Sequence, residues 1–289
     1  MNTESIKIDQ SQEGGIFDAL VKLGFTKKAD PNPYLKWKLS NGAVTVLLYS
    51  SMKLVVQGNV DLKSILNIVT GNQVEQPDYI PHIGADEVGK GDYFGPLIVA
   101  ACYIPSEAYA RVASLGITDS KKLSDRQIVD MYSKIKDLVV YKITTLMPNQ
   151  YNTEYKIYMN VAKLLAKLHG ENIKDLVKEL SSRNFDYNYA VIDQFSTNKG
   201  RLGKEMVGVE FMQMHHAESQ DLPTATASII ARTYFLKAIE EMSQHYDFPF
   251  PLGAVHVVEQ GREFVKKYGK DELENVAKVS FRTTQTVLY

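Results

Sequence analysis

Residues 35–57, LKWKLSNGAVTVLLYSSMKLVVQ, alternate apolar and polar positions on either side of Asn41-Gly42. Alternation of this kind predicts strands that bury one face, and Asn-Gly between two such runs is a strong hairpin signal. A third strand, Lys53 to Gln57, follows after a short turn. Upstream, GGIFDALVKLGF changes to a helical period, with Ile16, Leu20 and Val21 on one face and Gly24 closing it. DLKSILNIV (61–69) reads as a second helix. The first 70 residues therefore form a small α+β unit. TGNQVEQPDYIPH, polar and carrying two prolines, is the expected linker, placed at residues 71–81.

From residue 82 strands and helices interleave. LIVAACYI (97–104) is a buried strand, and SDRQIVDMYSKIKDL a helix whose start fits a capping box of Ser124 with Gln127. VVYKITTL is a strand. Residues 154–169 carry Ile157, Val161, Leu164, Leu165 and Leu168 at the spacing of one helix. NYAVIDQF is a short strand that ends in a carboxylate. TATASIIARTYFLKAIEEM is a helix, and DELENVAKVSF a last one, capped by Asp271 with Glu274. The interleaving predicts an α/β sheet with helices on both faces over residues 82–289.

Composition alters this picture little. The chain has 289 residues, 44% hydrophobic and 23% charged, as an ordinary globular protein does. No apolar run approaches the roughly 20 residues that cross a bilayer, and the N-terminus is polar, without the pattern of a signal peptide. Cys102 is the single cysteine, so neither an intrachain disulfide nor a cysteine-built zinc site is possible. These features point to the cytoplasm, with no membrane partner. Net charge is −1. It hides a local excess: Lys22, Lys27, Lys28, Lys36, Lys38 and Lys53 against Asp30 alone.

The candidate chemistry is carboxylate chemistry. Asp86 and Glu87 stand side by side just before the most apolar strand, between Gly84 and Gly89. Neighbours in a regular strand face opposite ways, so the pair is expected where the strand ends, with the glycines permitting the irregularity. Two like charges held together favour protonation unless a cation intervenes. Asp193 closes the strand Ala190–Ile192, at the kind of strand end where ligands gather in α/β sheets. Glu218 precedes a helix whose opening turns are all small residues. Four acids from three segments could meet around hard divalent cations, which prefer oxygen ligands. Taken singly, each acid reads first as surface charge or a helix cap, and only the Asp86–Glu87 pair, wedged between glycines and core, weighs evenly toward a functional role. A phosphate loop is excluded, because Gly91 and Asp92 follow Lys90 where Ser or Thr is needed. His215, His216 and His256 read as surface or packing residues rather than catalytic bases.

GADEVGKGDYFGPLIVAA, TDSKKLSD, MPNQYN, AVIDQF and HHAES followed by TATASIIAR occur here in the order found in type 2 ribonucleases H. The Gly89-Lys90-Gly91 triplet resembles the ribonuclease HIII branch, and the first 70 residues resemble its TATA-box-binding-protein-like substrate-binding extension. The resemblance implies a ribonuclease H-like mixed sheet and an endonuclease for the RNA strand of RNA–DNA hybrids; the sequence gives no reason to expect an oligomer, so a monomer is expected. It implies Asp86, Glu87, Asp193 and Glu218 as the catalytic acids that bind two Mg²⁺ or Mn²⁺ ions, with 5′-phosphate and 3′-hydroxyl products. It also implies that the backbone of Gly89, Lys90 and Gly91 meets ribose 2′-hydroxyls and that Ser120 and Lys121 lie against the substrate backbone. Leu252 and Ser280 depart from the family pattern, where lysine and histidine are common.

Overall fold

The structure is a computed structural model that describes residues 2–58, 79–117, 123–196 and 200–289. These group into two compact units, Met1–Ile80 with Ile104–Ile117, and Pro81–Tyr103 with Thr118–Tyr289.

In the first unit, β1 (Asn2–Lys7), β2 (Thr26–Lys27), β3 (Leu35–Ser40), β4 (Val44–Tyr49) and β5 (Lys53–Gly58) form one sheet in the order β1-β5-β4-β3-β2. Every pairing is antiparallel. The hairpin turns where expected: Asn41 Oδ1 accepts the N–H groups of Ala43 and Val44 at 3.1 and 2.8 Å. Helix α1 (Glu13–Lys22) buries Ile16 and Leu20 in a core with Leu39, Val46, Leu48, Leu54 and Val56. Trp37 belongs to that core, edge-on to Phe17 at 5.6 Å, whereas Tyr34 is exposed. Two of the six lysines are paired with acids, Lys36 with Glu13 and Lys38 with Asp30. Helix α2 (Ser106–Ser114) groups with this unit, and its Ser114 carbonyl accepts from Asn41 Nδ2 at 2.7 Å. The helix expected at 61–69 and the linker as far as residue 78 lie outside the described residues.

The second unit is built on a mixed sheet. It comprises β6 (Ile83–Val88), β7 (Leu97–Tyr103), β8 (Val140–Leu146), β9 (Ala190–Asp193) and β10 (Phe211–Met214), in the order β10-β9-β6-β7-β8. β6 is antiparallel to β7 and parallel to β9. Helix α3 (Asp125–Ile135) has the expected capping box, with Gln127 Oε1 accepting the Ser124 N–H. α4 (Pro148–Tyr158) and α5 (Val161–Ser182) precede β9, the short α6 (Gly200–Gly203) follows it, and α7 (Leu222–Tyr246) follows β10. α5 packs on β7 and β8, while α7 packs on β6 and β7, so helices cover both faces as predicted. α8 (Val258–Tyr268), α9 (Leu273–Val276) and α10 (Thr283–Leu288) complete the chain. Among the described residues no helix is long and apolar enough to cross a membrane.

Two expected helices differ. The single helix over 154–169 is two helices, because Met159 takes φ +49 and Asn160 caps α5 through its side chain. Ile157 is consequently exposed rather than part of the apolar face. The helix expected over 271–281 is only the one turn of α9, without a side-chain cap. Beyond it Ala277 is extended and bridges to Phe94.

Candidate active site

β6 does not end at its acids. Its ladder with β7 continues through Asp86–Ala100, Glu87–Val99 and Val88–Ile98, which corrects the expected irregularity. The two carboxylates accordingly leave opposite faces of the sheet, as strand geometry requires. Asp86 lies on the α7 face and hydrogen bonds to Ser228 of that helix. Glu87 lies on the α5 face, where His169 Nε2 is 3.1 Å from its Oε2. The close seating of α7 depends on Gly84, because a Cβ there would fall 2.1 Å from the Thr224 nitrogen and 2.2 Å from the Pro223 carbonyl carbon. β9 runs beside β6 with Ala85 opposite Ile192, so Asp193 arrives next to Asp86 at the same strand ends.

Asp86, Glu87 and Asp193 line one cleft of about 550 Å³ together with the triplet, Ser228 and Arg232. Burial pushes the Asp86 carboxyl well above the ordinary range, and the Glu87 and Asp193 charges push it the same way. Asp193 is raised too, chiefly by burial, while the Ala217 N–H donated to its Oδ1 at 2.9 Å opposes the rise. Glu218 also hydrogen bonds to Asp193 and adds to that rise. Glu218 is buried against Asp193 rather than on the cleft wall. Its Oε1 lies 3.7 Å from Nδ1 of His216, a residue at φ +53.

The triplet forms the rim. Gly89 takes φ +89, and a Cβ there would lie 2.1 Å from the Pro96 carbonyl oxygen. Gly91 differs, since its Cβ would meet nothing within 4 Å, so nothing in the fold demands glycine there. Lys90 turns back on the protein: its Nζ donates to the Phe195 carbonyl at 2.8 Å and lies 3.7 Å from Glu87 Oε1. The loop beyond is anchored by the Gly253 N–H donating to Asp92 Oδ1 at 2.7 Å. Leu252 beside that anchor is exposed, and Ser280 Oγ is 3.5 Å from the Tyr151 hydroxyl. Ser120 and Lys121 lie outside the described residues.

His169 is the residue that sequence reading missed. It is fully buried, stacked on Phe195 with centroids 5.2 Å apart, and holds one oxygen of Glu87 while Lys90 approaches the other. Within the apolar run of α5 it carried no signal of its own. His256 is exposed. The donor set of the four acids is oxygen alone and mutually repelling, which fits hard divalent cations. The fit is one of chemistry, not of a preformed cage: among the described residues no three His, Cys, Asp or Glu side chains are arranged to hold an ion.

Comparison with known proteins converges on one group. The ribonuclease HII family model matches residues 83–284. A ribonuclease HIII of Protochlamydia amoebophila is 33% identical over 268 residues, covering 88% of this chain and 87% of its own. That of Chlamydia muridarum is 34% identical over 285 residues, covering 94% and 92%. Among solved structures, Bst-RNase HIII in complex with Mn²⁺ superposes with a TM-score of 0.68 at 28% identity, covering 99% of this chain and 98% of its own.

Proposed function

The chain belongs to the type 2 ribonuclease H family and, within it, to the ribonuclease HIII group; from that premise we propose that it cleaves the RNA strand of RNA–DNA hybrids by two-metal-ion hydrolysis, leaving 5′-phosphate and 3′-hydroxyl ends. The observation that carries the reading is the gathering of Asp86, Glu87 and Asp193 in one cleft rimmed by the glycine triplet. Asp86, Glu87, Asp193 and Glu218 are the residues that would hold Mg²⁺ or Mn²⁺, and the similar Bst-RNase HIII crystallised in complex with Mn²⁺. Such ions, when bound, lower the pKa of an attacking water and offset charge on the reacting phosphate.

The protein's own groups prepare the place. The burial and repulsion that raise Asp86 and Asp193 are relieved when positive charge enters the cleft. His169 and Lys90 fix the orientation of Glu87 from two sides. The open space over Gly91 lets backbone approach a ribose 2′-hydroxyl, the group that distinguishes RNA from DNA. Ser120 and Lys121 complete the proposed substrate contacts. Residues 1–70 act as the substrate-binding domain and 82–289 as the catalytic domain, joined by 71–81. In the N-terminal unit Lys27 and Lys28 are exposed and suited to phosphate contact, which supplies affinity rather than sequence choice.

The test is cleavage in Mg²⁺ and in Mn²⁺, comparing a uniform RNA–DNA hybrid with a DNA duplex carrying one ribonucleotide. Cutting of the hybrid alone supports the reading, and strong cutting of the single-ribonucleotide duplex moves the protein to repair-type specificity. Asp193→Asn should abolish cleavage while hybrid binding persists; normal turnover by that variant overturns the assignment.

A further inference from the structure

Lys278 is completely buried, a position lysine almost never takes unless its amine is engaged. Its Nζ donates to the Gly95 carbonyl at 2.6 Å and to the Asp92 carbonyl at 3.0 Å. Its backbone N–H donates to the Tyr93 carbonyl at 2.8 Å, and the Gly95 N–H returns a bond to Val276 at 3.0 Å. The chain leaving α9 at Ala277 and Lys278 is therefore bridged antiparallel to residues 93–95. Burial pushes the amine down to about 7, against the pull of the Asp92 charge.

The segment is held from its other side by Asn152 of α4, the last residue of the MPNQYN motif. Asn152 Nδ2 donates to the Glu274 and Ala277 carbonyls at 3.0 and 2.9 Å, and its Oδ1 accepts the Val279 N–H at 3.0 Å. Asn152 is itself buried. Toward the cleft, Asp92 is tied to the triplet by its N–H to the Gly89 carbonyl at 3.3 Å. A continuous set of bonds thus runs from α4 through Lys278 to the rim of the cleft.

We propose that Lys278 is a positioning residue for substrate contact: by drawing the Asp92 and Gly95 carbonyls inward it fixes the path of residues 89–95 and so the placement of the glycine triplet against the nucleic acid. The proposal rests on the reading that the triplet meets the ribose. Stability alone does not call for a lysine. A methionine of similar length avoids desolvating an amine but forgoes two hydrogen bonds, and these effects oppose each other.

Wild-type protein and Lys278→Met are compared on a labelled RNA–DNA hybrid in Mg²⁺, with thermal melting of both. The expected result is a melting shift under about 4 °C and a KM raised about tenfold or more, with kcat changed less. Lys278→Gln, which keeps one donor, should fall between the two. A wild-type KM in Lys278→Met overturns the proposal. So does a loss confined to kcat that follows the melting loss, or the failure of both variants to fold, which makes Lys278 a residue of stability only. Wild-type protein that leaves the hybrid uncut overturns instead the functional reading beneath the proposal, and that result needs no variant to recognise.

Discussion

Adding a methyl group at each end of the triplet separates what the fold requires from what the substrate requires. In Gly91→Ala the new Cβ meets nothing within 4 Å, and Gly91 is not among the residues at positive φ. An exposed change of this kind shifts stability by at most about 0.5 kcal/mol, which for a protein of this size is a melting change of roughly 2 °C or less. In Gly89→Ala the Cβ falls 2.1 Å from the Pro96 oxygen and 3.2 Å from the Phe235 ring, at φ +89. The left-handed backbone costs about 1–2 kcal/mol and the overlap about 1–3 kcal/mol more, hence a melting loss of roughly 4–20 °C. If the Gly91 backbone lies against a ribose, its methyl occupies the approach and raises KM for the hybrid about tenfold, equivalent to about 1.4 kcal/mol. The assay pairs thermal melting with steady-state cleavage of a fluorescent hybrid. A Gly91→Ala variant with unchanged KM refutes contact by the triplet, and one that melts more than about 5 °C low refutes the packing analysis.

The other predictions concern charge. Asp86 is raised in the folded state, so its stabilising contribution is complete below the ordinary aspartate pKa of about 3.9 and is lost as pH rises through the folded value. Asp86→Asn should therefore melt higher than wild type at pH 7 without divalent ions, with the difference vanishing near pH 4 and no gain from added Mg²⁺; equal melting at pH 7 counts against the burial argument. His169→Phe keeps the stack on Phe195 and removes the donor to Glu87. Losing a hydrogen bond to a charged group, about 1.5–3 kcal/mol, should lower the melting temperature by roughly 3–12 °C, and the loosened Glu87 should lower kcat and raise the ion concentration for half-maximal cleavage. A wild-type ion dependence contradicts it. Lys27→Ala with Lys28→Ala should raise KM for the hybrid, leave kcat in place and flatten the dependence of binding on salt. An unchanged salt slope removes these lysines from the interface.

Much of this arrangement was legible in the chain. The apolar run 97–103 announced a central strand, Asn41-Gly42 a hairpin, and the carboxylate after Ala190–Ile192 a strand end at the cleft. What escaped had physical causes. β1 is an edge strand, mostly exposed, and its sequence NTESIK offers only Ile6 as an apolar position, too little for a strand signal. The helical period ran unbroken through Met159 because periodicity cannot register a left-handed residue. Residues 277–279 looked helical by spacing, yet their backbone is claimed by Asn152 and by strand-like bonds to 93–95. The paired acids were expected at a break in the strand. A regular strand serves equally, since it sends them to two faces that both open at its end.

The parallel pairing of β6 with β9 also governs when the cleft can exist. The partners are more than a hundred residues apart in the chain, with β7, α2, α3, β8, α4 and α5 between them. Closing so long a loop costs entropy before its contacts repay it, which makes such pairings slow steps of folding. The β6–β7 pair can assemble first from neighbouring sequence, carrying Asp86 and Glu87 but no opposing carboxylate. Asp193 joins only when β9 docks, and β9 is four residues long with only the short β10 beyond it at the sheet edge. Catalytic competence is thus a late acquisition along the folding route, and opening of that edge is the local event that dismantles the site while most of the core stays intact.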